Sequence, residues 1–257
     1  MGSEMCIRDS SNTDLRKLLI PIIIEQLLSS LMGTVDTMMV SNVGSAAISA
    51  VSLVDAINIL VIQALSALAA GGAILCSQYL GSQNLKKAKR SAEQVLFVML
   101  VLSCSLSLLC LIFRFPLLRL IFGTVDTDVM ANSQIYFFFT LLSFPFIGLY
   151  DAGASILRAQ NNTKGPMTIS ILSNFLNIGG NAILIFVFGM GVAGAAISTL
   201  VSRIFCAVVV IIQLRKEKEG QEIVVRDYFE IRPDWSMIRR ILGLGIPSGI
   251  ENSTVSY

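Results

Sequence analysis

Residues 18–40 read LLIPIIIEQLLSSLMGTVDTMMV, an apolar run that contains two carboxylates, Glu25 and Asp36, and one proline, Pro21. The run is long enough to cross a hydrocarbon layer of about 30 Å as a helix. A charged side chain at that depth costs at least ~2.5 kcal/mol, so intramembrane carboxylates are rare and usually line a pathway for ions or substrate. The stretch therefore predicts a membrane-spanning helix, and Asp36 is its first candidate for a functional residue.

The composition shows that the rest of the chain has the same character. Of its 257 residues, 54% are hydrophobic and 14% are charged, whereas soluble domains carry about 25% charged residues. The chain contains no histidine, and its five cysteines are scattered without metal-ligand spacing, so we expect no metal-binding cluster and no cofactor. We predict an all-α polytopic membrane protein.

Apolar runs predict six complete spans and the start of a seventh. The six lie at about residues 15–41, 46–80, 92–113, 131–157, 167–188 and 192–214, and the seventh begins near residue 237. Short glycine-containing links at 41–45 and 189–192 predict tight antiparallel helix pairs. The chain then divides into a polar tail set aside as a candidate non-native extension (1–13), a six-helix transmembrane lobe (14–214), a cytoplasmic inter-lobe linker (215–236) and the start of a second lobe (237–257).

The distribution of lysine and arginine predicts the orientation. Sixteen of the 19 basic residues lie before the first span or around the even-numbered connectors, against Arg114 and Arg119 on the other side and Arg203 within a span. Cytoplasmic loops carry such an excess of positive charge, so we place the N-terminus in the cytoplasm and the protein in the cytoplasmic membrane. Because topology explains the basic residues, the net charge of +2 gives no reason to expect a nucleic-acid partner.

An internal echo links the first and seventh spans. The first contains Ile20-Pro21 followed by Glu25-Gln26, and the seventh contains Ile246-Pro247 followed by Glu251-Asn252. Weak internal symmetry is typical of transporters built from repeats, and an offset of 226 residues predicts a second unit that ends near residue ~450. On this interpretation the chain is truncated in the seventh helix and lacks its second lobe. The alternative is a chance echo in an apolar chain.

Asp36 is the strongest candidate for a functional side chain. It follows Glu25 by eleven residues, close to three helical turns, so both carboxylates share one face about 16 Å apart along the axis. Pro21 removes one backbone hydrogen bond and permits a bend below them. Burial disfavours the charged form of a carboxylate, so a buried Asp36 is suited to bind and release a proton. The alternative is a structural Asp36, hydrogen-bonded near the outer end of its helix.

Asparagines give the fifth span a polar face. Asn174, Asn177 and Asn181 follow helical spacing, so their amides share one side of the helix. Amides facing the bundle either bind a carboxylate or a cation, or they hydrogen-bond neighbouring helices at about 0.6–2 kcal/mol per bond. Both interpretations stay open on spacing alone.

Other polar residues in the spans carry weaker predictions. Asp151 precedes Arg158 by two helical turns and is either a second functional acid or the ion-pair partner of that arginine. Thr199, in the small-residue surface of the sixth span, is a candidate polar contact. Asp55 and Asn58 in the second span are expected near its outer boundary.

The order and spacing of these motifs resemble the N-terminal half of a multidrug and toxic compound extrusion (MATE) transporter. The resemblance covers residues 14–257, and no single motif carries it alone. The matching elements are the first span with its proline and later Asp, and the segments Ala70-Gly-Gly-Ala, Ser77-Gln-Tyr-Leu-Gly81, Leu157-Arg-Ala-Gln-Asn-Asn-Thr-Lys-Gly-Pro166, Asn177-Ile-Gly-Gly-Asn-Ala-Ile-Leu-Ile185 and Gly191-Val-Ala-Gly-Ala-Ala-Ile-Ser-Thr199.

The resemblance implies twelve helices in two six-helix lobes, embedded in membrane lipid, and antiport of organic cations and drugs against H⁺ or Na⁺. It implies a helix-bending role for Pro21 and cation coupling, with Na⁺ near Asp36 and Asn177 as one form of it. The implied coupling residues are Asp36, Asn177, Asn181, Thr199 and, as a further polar contact, Asp151. Several family members have Asp at the position of Asn181, so this chain has one carboxylate fewer there. Glu25 and Glu251 are weak candidates.

Two other functions remain as alternatives. A lipid-linked oligosaccharide flippase of the same superfamily would favour a wide, arginine-rich lumen, whereas only Arg203 lies within a span. A seven-helix receptor or an integral membrane enzyme would need an outside N-terminus or a catalytic cluster. The charge pattern and the lack of histidine oppose both, so we expect a secondary transporter and not an enzyme.

Overall fold

The computed structural model describes residues 12–123, 125–216, 222–225 and 233–255. All regular elements in these ranges are helical. They are α1 (Asn12–Val40), α2 (Ser45–Gly81), α3 (Leu85–Ile112), α4 (Arg114–Phe122), α5 (Thr127–Ala159), α6 (Lys164–Asn181) with a π-helical extension (Ala182–Val187), α7 (Gly191–Arg215) and α8 (Trp235–Val255).

Six of these helices are long and apolar enough to cross a membrane, which confirms the six predicted spans. They are α1 from Leu19, α2, α3, α5, α6 with its π-helical extension, and α7. The short helix α4 was not predicted, because its nine residues follow the third predicted span, which ends at residue 113, and are too few to cross a membrane. It ends at Phe122, and the next residue, Gly123, has a φ of 62°, a backbone conformation that favours glycine and does not continue a helix.

The exterior is apolar, as expected of helices that face lipid. Large side chains such as Leu27, Leu60, Phe175 and Leu120 are more than half exposed on the surface. Buried apolar side chains form two clusters inside the bundle, one around Val95, Ile156 and Val210 and one around Val51, Phe137 and Phe144. The buried polar side chains, such as those of Asp36 and Asn177, lie between the helices of this bundle.

The helix α1 does not pair closely with α2, although the link at 41–45 predicted a tight pair. It packs mainly on α6, while α2 packs on α5. The physical reason is that Glu25 and Asp36 are buried and find their polar partners on α5, α6 and α7. The other predicted pair, α6 and α7 joined at 189–192, is in close contact and is confirmed.

The described part of the connector between α7 and α8 packs against the bundle. Ile223 and Val225 are fully buried. The side chain of Gln160 recognises the backbone of Ile223 in both directions, since its Oε1 accepts from the Ile223 amide at 2.8 Å and its Nε2 donates to the Ile223 carbonyl at 3.4 Å. Further along, the Asp234 carboxylate pairs with Arg90 at 2.9 Å, and the Asp234 amide donates to Gln94 at 2.9 Å.

The helix α8 crosses α2 at a close contact of two glycines. A Cβ atom on Gly71 would lie 2.5 Å from the Cα of Gly245, and one on Gly245 would lie 2.9 Å from the Cα of Leu68. Only glycine permits this approach. The first half of α8 therefore belongs to the packed body of the described chain. Glu251 lies later in α8, and its side chain falls outside the described residues.

Candidate functional site

The carboxylate of Asp36 is the centre of a buried polar cluster formed by Asp36, Asn177, Asn181 and Thr199, called the Asp36 cluster here. Asp36 is 4% exposed and receives hydrogen bonds from Asn181 Nδ2 on Oδ1 and from Thr199 Oγ1 on Oδ2, the second at 3.3 Å. Asn177 Nδ2 donates to Thr199 Oγ1 at 3.3 Å, and Asn181 Nδ2 lies 3.4 Å from Asn177 Oδ1. The structure thus brings together four of the residues that the sequence singled out.

The helices α6 and α7 position the neutral members of the Asp36 cluster. Asn177 and Asn181 are one helical turn apart and point to the same side, and Asn181 is the last residue before the helix widens into its π-helical extension. A Cβ atom on Gly180 would collide with Ser198, so this glycine lets α7 come close. The Ser198 hydroxyl donates to the Asn177 carbonyl at 2.8 Å, which aligns the adjacent Thr199 with Asp36.

In the Asp36 cluster a carboxylate accepts hydrogen bonds from neutral side chains. Within the described ranges, no lysine or arginine nitrogen approaches Asp36 within 4 Å. Arg203 is near enough to interact electrostatically with it, but its guanidinium bonds the Ser143 hydroxyl at 2.5 Å. The Asn181 Oδ1 atom is buried without a hydrogen-bond partner. The cluster therefore offers a carboxylate, an amide oxygen and a hydroxyl, which suit a proton or a hard monovalent cation.

The structure does not bring Asp151 into the Asp36 cluster. No hydrogen bond joins it to the cluster, and its Oδ2 atom is buried without a partner. The charges that act on it most are those of Arg158, Glu25 and Arg203. The open alternative of an ion pair with Arg158 is not realised either, because Arg158 binds Glu25 instead.

Glu25 lies in a second polar cluster with Tyr150 and Arg158, called the Glu25 cluster here. Its Oε1 atom lies 2.6 Å from Arg158 Nη2 and 2.8 Å from the Tyr150 hydroxyl, which donates to it. Glu25 therefore has its own positive charge within the chain. Pro21, one turn earlier, is buried inside α1, and the helix continues through it.

A third cluster was not predicted and consists of Asp55, Asn58 and Tyr136, called the Asp55 cluster here. Asp55 Oδ1 accepts from Asn58 Nδ2 and from the Tyr136 hydroxyl, each at 3.2 Å. Asn58 and Tyr136 are each 2% exposed, so the group lies inside the bundle. The helical spacing of Asp55 and Asn58 contained part of this signal, but a single tyrosine in an apolar span reads as packing, so Tyr136 was missed.

Comparison with known proteins gives a consistent family. The MatE family model matches residues 21–183. An uncharacterized transporter of Bacillus subtilis, YisQ, is 31% identical over 90% of this chain and 50% of its own length. The probable multidrug resistance protein NorM of Thermotoga maritima is 28% identical over 95% of this chain and 52% of its own length.

Solved structures agree in fold. A crystal structure of MATE in the bent conformation superposes with a TM-score of 0.84 at 23% identity, over 95% of this chain and 54% of that one. The outward-facing conformation of a multidrug resistance MATE family transporter gives a TM-score of 0.84 at 24% identity, over 95% and 53%. The chain spans about half the length of the curated relatives that it matches.

Proposed function

The chain belongs to the MatE family, and on this premise we propose that it forms one lobe of a cation-coupled antiporter that exports organic cations and drugs across the cytoplasmic membrane. The coupling ion in this proposal is H⁺ or Na⁺. The half of the relatives' length that this chain does not span supplies the second six-helix lobe, related to the first by the echo of Pro21 at Pro247.

One observation carries the proposal: Asp36 is buried between apolar helices and bonded only by neutral groups among the described residues. Moving an ionised carboxylate from water into the protein interior costs roughly several kcal/mol unless a nearby positive charge compensates it. A proton or Na⁺ supplies that charge, and the unpartnered Oδ1 of Asn181 supplies a further oxygen ligand. A reversible cation is therefore the natural partner of this acid.

The mechanism in this proposal is alternating access between the two lobes. Asp36 joins α1 to α6 and α7 through its hydrogen bonds, so binding or loss of the cation changes how strongly α1 is held there. A proline within a helix lowers the cost of bending at that point, which assigns the bend of α1 to Pro21. A cation can shift the equilibrium only by its differential affinity for the two states, so Asp36 binds it more tightly in one of them.

The orientation follows the positive charge of the predicted cytoplasmic connectors, with the N-terminus inside. Arg203 is the one arginine in the interior of the predicted spans, away from their ends, and its guanidinium donates to the Ser143 hydroxyl. A single arginine at such a position favours drug export over the flippase alternative, which needs an arginine-rich cavity.

Transport by the full-length protein tests the proposal. Reconstituted in proteoliposomes, the Asp36→Asn variant is expected to lose coupled export of an organic cation by ~100-fold, since loss of even a group that supports an ion ligand costs about 10–100-fold. Asp128→Asn is the matched control, because Asp128 is an exposed acid at the start of α5 and the substitution makes the same change in charge. Undiminished coupled export by the Asp36→Asn protein would refute the assignment.

A further inference from the structure

The Asp55 cluster has an unused oxygen atom beside its carboxylate. Asn58 donates through Nδ2 to Asp55 Oδ1, whereas the oxygen of the same amide is buried without a hydrogen-bond partner. The Tyr136 hydroxyl approaches the same Asp55 oxygen from α5. The Asp55 carboxylate, the Asn58 amide and the Tyr136 hydroxyl thus meet between α2 and α5, where Asn58 and Tyr136 are almost fully buried and Asp55 is partly exposed.

The charges inside the lobe do not balance. Together with Asp151, the three clusters hold four carboxylates, those of Glu25, Asp36, Asp55 and Asp151, and the positive charges that act on them belong to two guanidinium groups, those of Arg158 and Arg203. The Glu25 cluster uses Arg158. Arg203 is within electrostatic range of the three remaining acids but forms no ion pair with any of them within the described residues. Two negative charges therefore remain, and a single cation at Asp36 compensates one of them.

The ligand atoms favour Asp55 over Asp151 as the place of the second cation. Asp151 has no hydrogen-bonding group beside it in the described structure, and it lies under the influence of both arginines. Asp55 has two side chains, Asn58 and Tyr136, that supply oxygen atoms and are almost fully buried. Hard cations such as Na⁺ prefer such oxygen ligands.

We propose that Asp55, Asn58 Oδ1 and the Tyr136 hydroxyl oxygen form a second monovalent-cation site, for Na⁺ or H⁺, separate from the Asp36 cluster. With this second site the lobe would take up two cations in each transport cycle, and that consequence rests on the proposed function. Cation binding itself can be counted without any transport.

The two sites share an electrostatic environment. The groups that face Asp55 are Asn58 on its own helix, Tyr136 on α5 and Arg203 on α7, and Asp36 on α1 acts on Tyr136 and Arg203. A cation at one site therefore weakens binding at the other. This coupling is reciprocal, because each ion must change the affinity for the other by the same factor.

Equilibrium binding of radioactive Na⁺ to the purified full-length protein tests the proposal directly. We expect two Na⁺ per wild-type chain, one in Asp36→Asn, one in Asp55→Asn and none in the double variant, with Asp128→Asn as the control that keeps two. If protons take the place of Na⁺, infrared difference spectra on acidification are compared with those of the wild type: one carboxylic C=O band is missing in each single variant and two are missing in the double variant.

Tyr136→Phe serves if Asp55→Asn does not fold. It removes one hydroxyl from an otherwise intact ring and is expected to weaken binding at the second site by ~10-fold, while the Asp36 cluster still binds one Na⁺. A wild-type count of one, or a count that neither Asp55→Asn nor Tyr136→Phe alters, would overturn the second site. Loss of a cation in Asp55→Asn together with undiminished transport by Asp36→Asn would leave the second site standing and refute the proposed function.

Discussion

Glu25 and Asp36 lie eleven residues apart on the same buried face of α1, yet their surroundings differ. Glu25 is bonded by Arg158 and Tyr150, whereas among the described residues Asp36 is bonded only by two amides and a hydroxyl, directly or through one another. A buried acid with its own arginine has its charge compensated within the chain, although Glu25 Oε2 is buried without a hydrogen-bond partner in the described structure. A buried acid without one needs a positive charge from outside, so the identity of the neighbours separates a structural carboxylate from one suited to bind an ion.

Breaking the ion pair of the Glu25 cluster should have the largest effect on stability. Removal of one partner from a buried pair costs roughly 3–5 kcal/mol, and Arg158 keeps 31% of its side chain exposed, so we expect about 3 kcal/mol for Arg158→Ala. Denaturation of the full-length protein in detergent measures this loss. The double variant Glu25→Gln with Arg158→Ala should recover part of it, and an equal loss in both variants would show that the unpaired charge is not the cause.

Asp36→Asn should affect stability only through the cation. An amide of nearly the same shape replaces the carboxylate, so we expect the unfolding free energy without Na⁺ to change by less than about 1.5 kcal/mol. Na⁺ at 100 times its dissociation constant should stabilise the wild type by about 2.7 kcal/mol for each occupied site, and the variant should lose the share of the Asp36 cluster. Thermal unfolding with and without NaCl, at fixed ionic strength, distinguishes this loss from general destabilisation. Equal stabilisation of both proteins would contradict the comparison.

Asn181→Asp should increase the difference between the Asp36 cluster and the Glu25 cluster. It gives the Asp36 cluster a second carboxylate and still no arginine. Two acids at hydrogen-bond distance cannot both stay ionised without a cation. We expect cation affinity to rise by ~10-fold, which is about 1.4 kcal/mol, measured as Na⁺ binding or as proton uptake. The neutral variant Asn181→Leu serves as the control, and its affinity should fall. A rise in both variants would point to packing instead of charge.

The sequence predicted the six spans because the length and apolarity of a run determine whether it can cross a membrane. It also predicted that Asn177 and Asn181 share a helix face, which follows from helical spacing alone. It did not predict which helices meet. Short links suggested that α1 pairs with α2, but the burial of Glu25 and Asp36 directs α1 to α6.

The spacing of residues along the chain could not predict polar contacts between residues that are far apart in sequence. Arg158 lies 133 residues from Glu25, and Tyr136 lies 81 residues from Asp55. Such contacts depend on the crossing of whole helices, which no local pattern contains. Asp151 shows that local spacing can also mislead. Its spacing to Arg158 fits an ion pair, but Arg158 pairs with the distant Glu25 instead.

The attachment of Asp234 to α3 has a mechanical consequence. Its backbone amide is held by Gln94, its carboxylate is held by Arg90 and also caps the first turn of α8 at Met237, and that turn is thereby anchored. Because this turn is anchored to α3, α8 can change its orientation only by bending along its length or by moving together with α3. The first turn of α8 and the first turns of α3 are therefore expected to move as one unit.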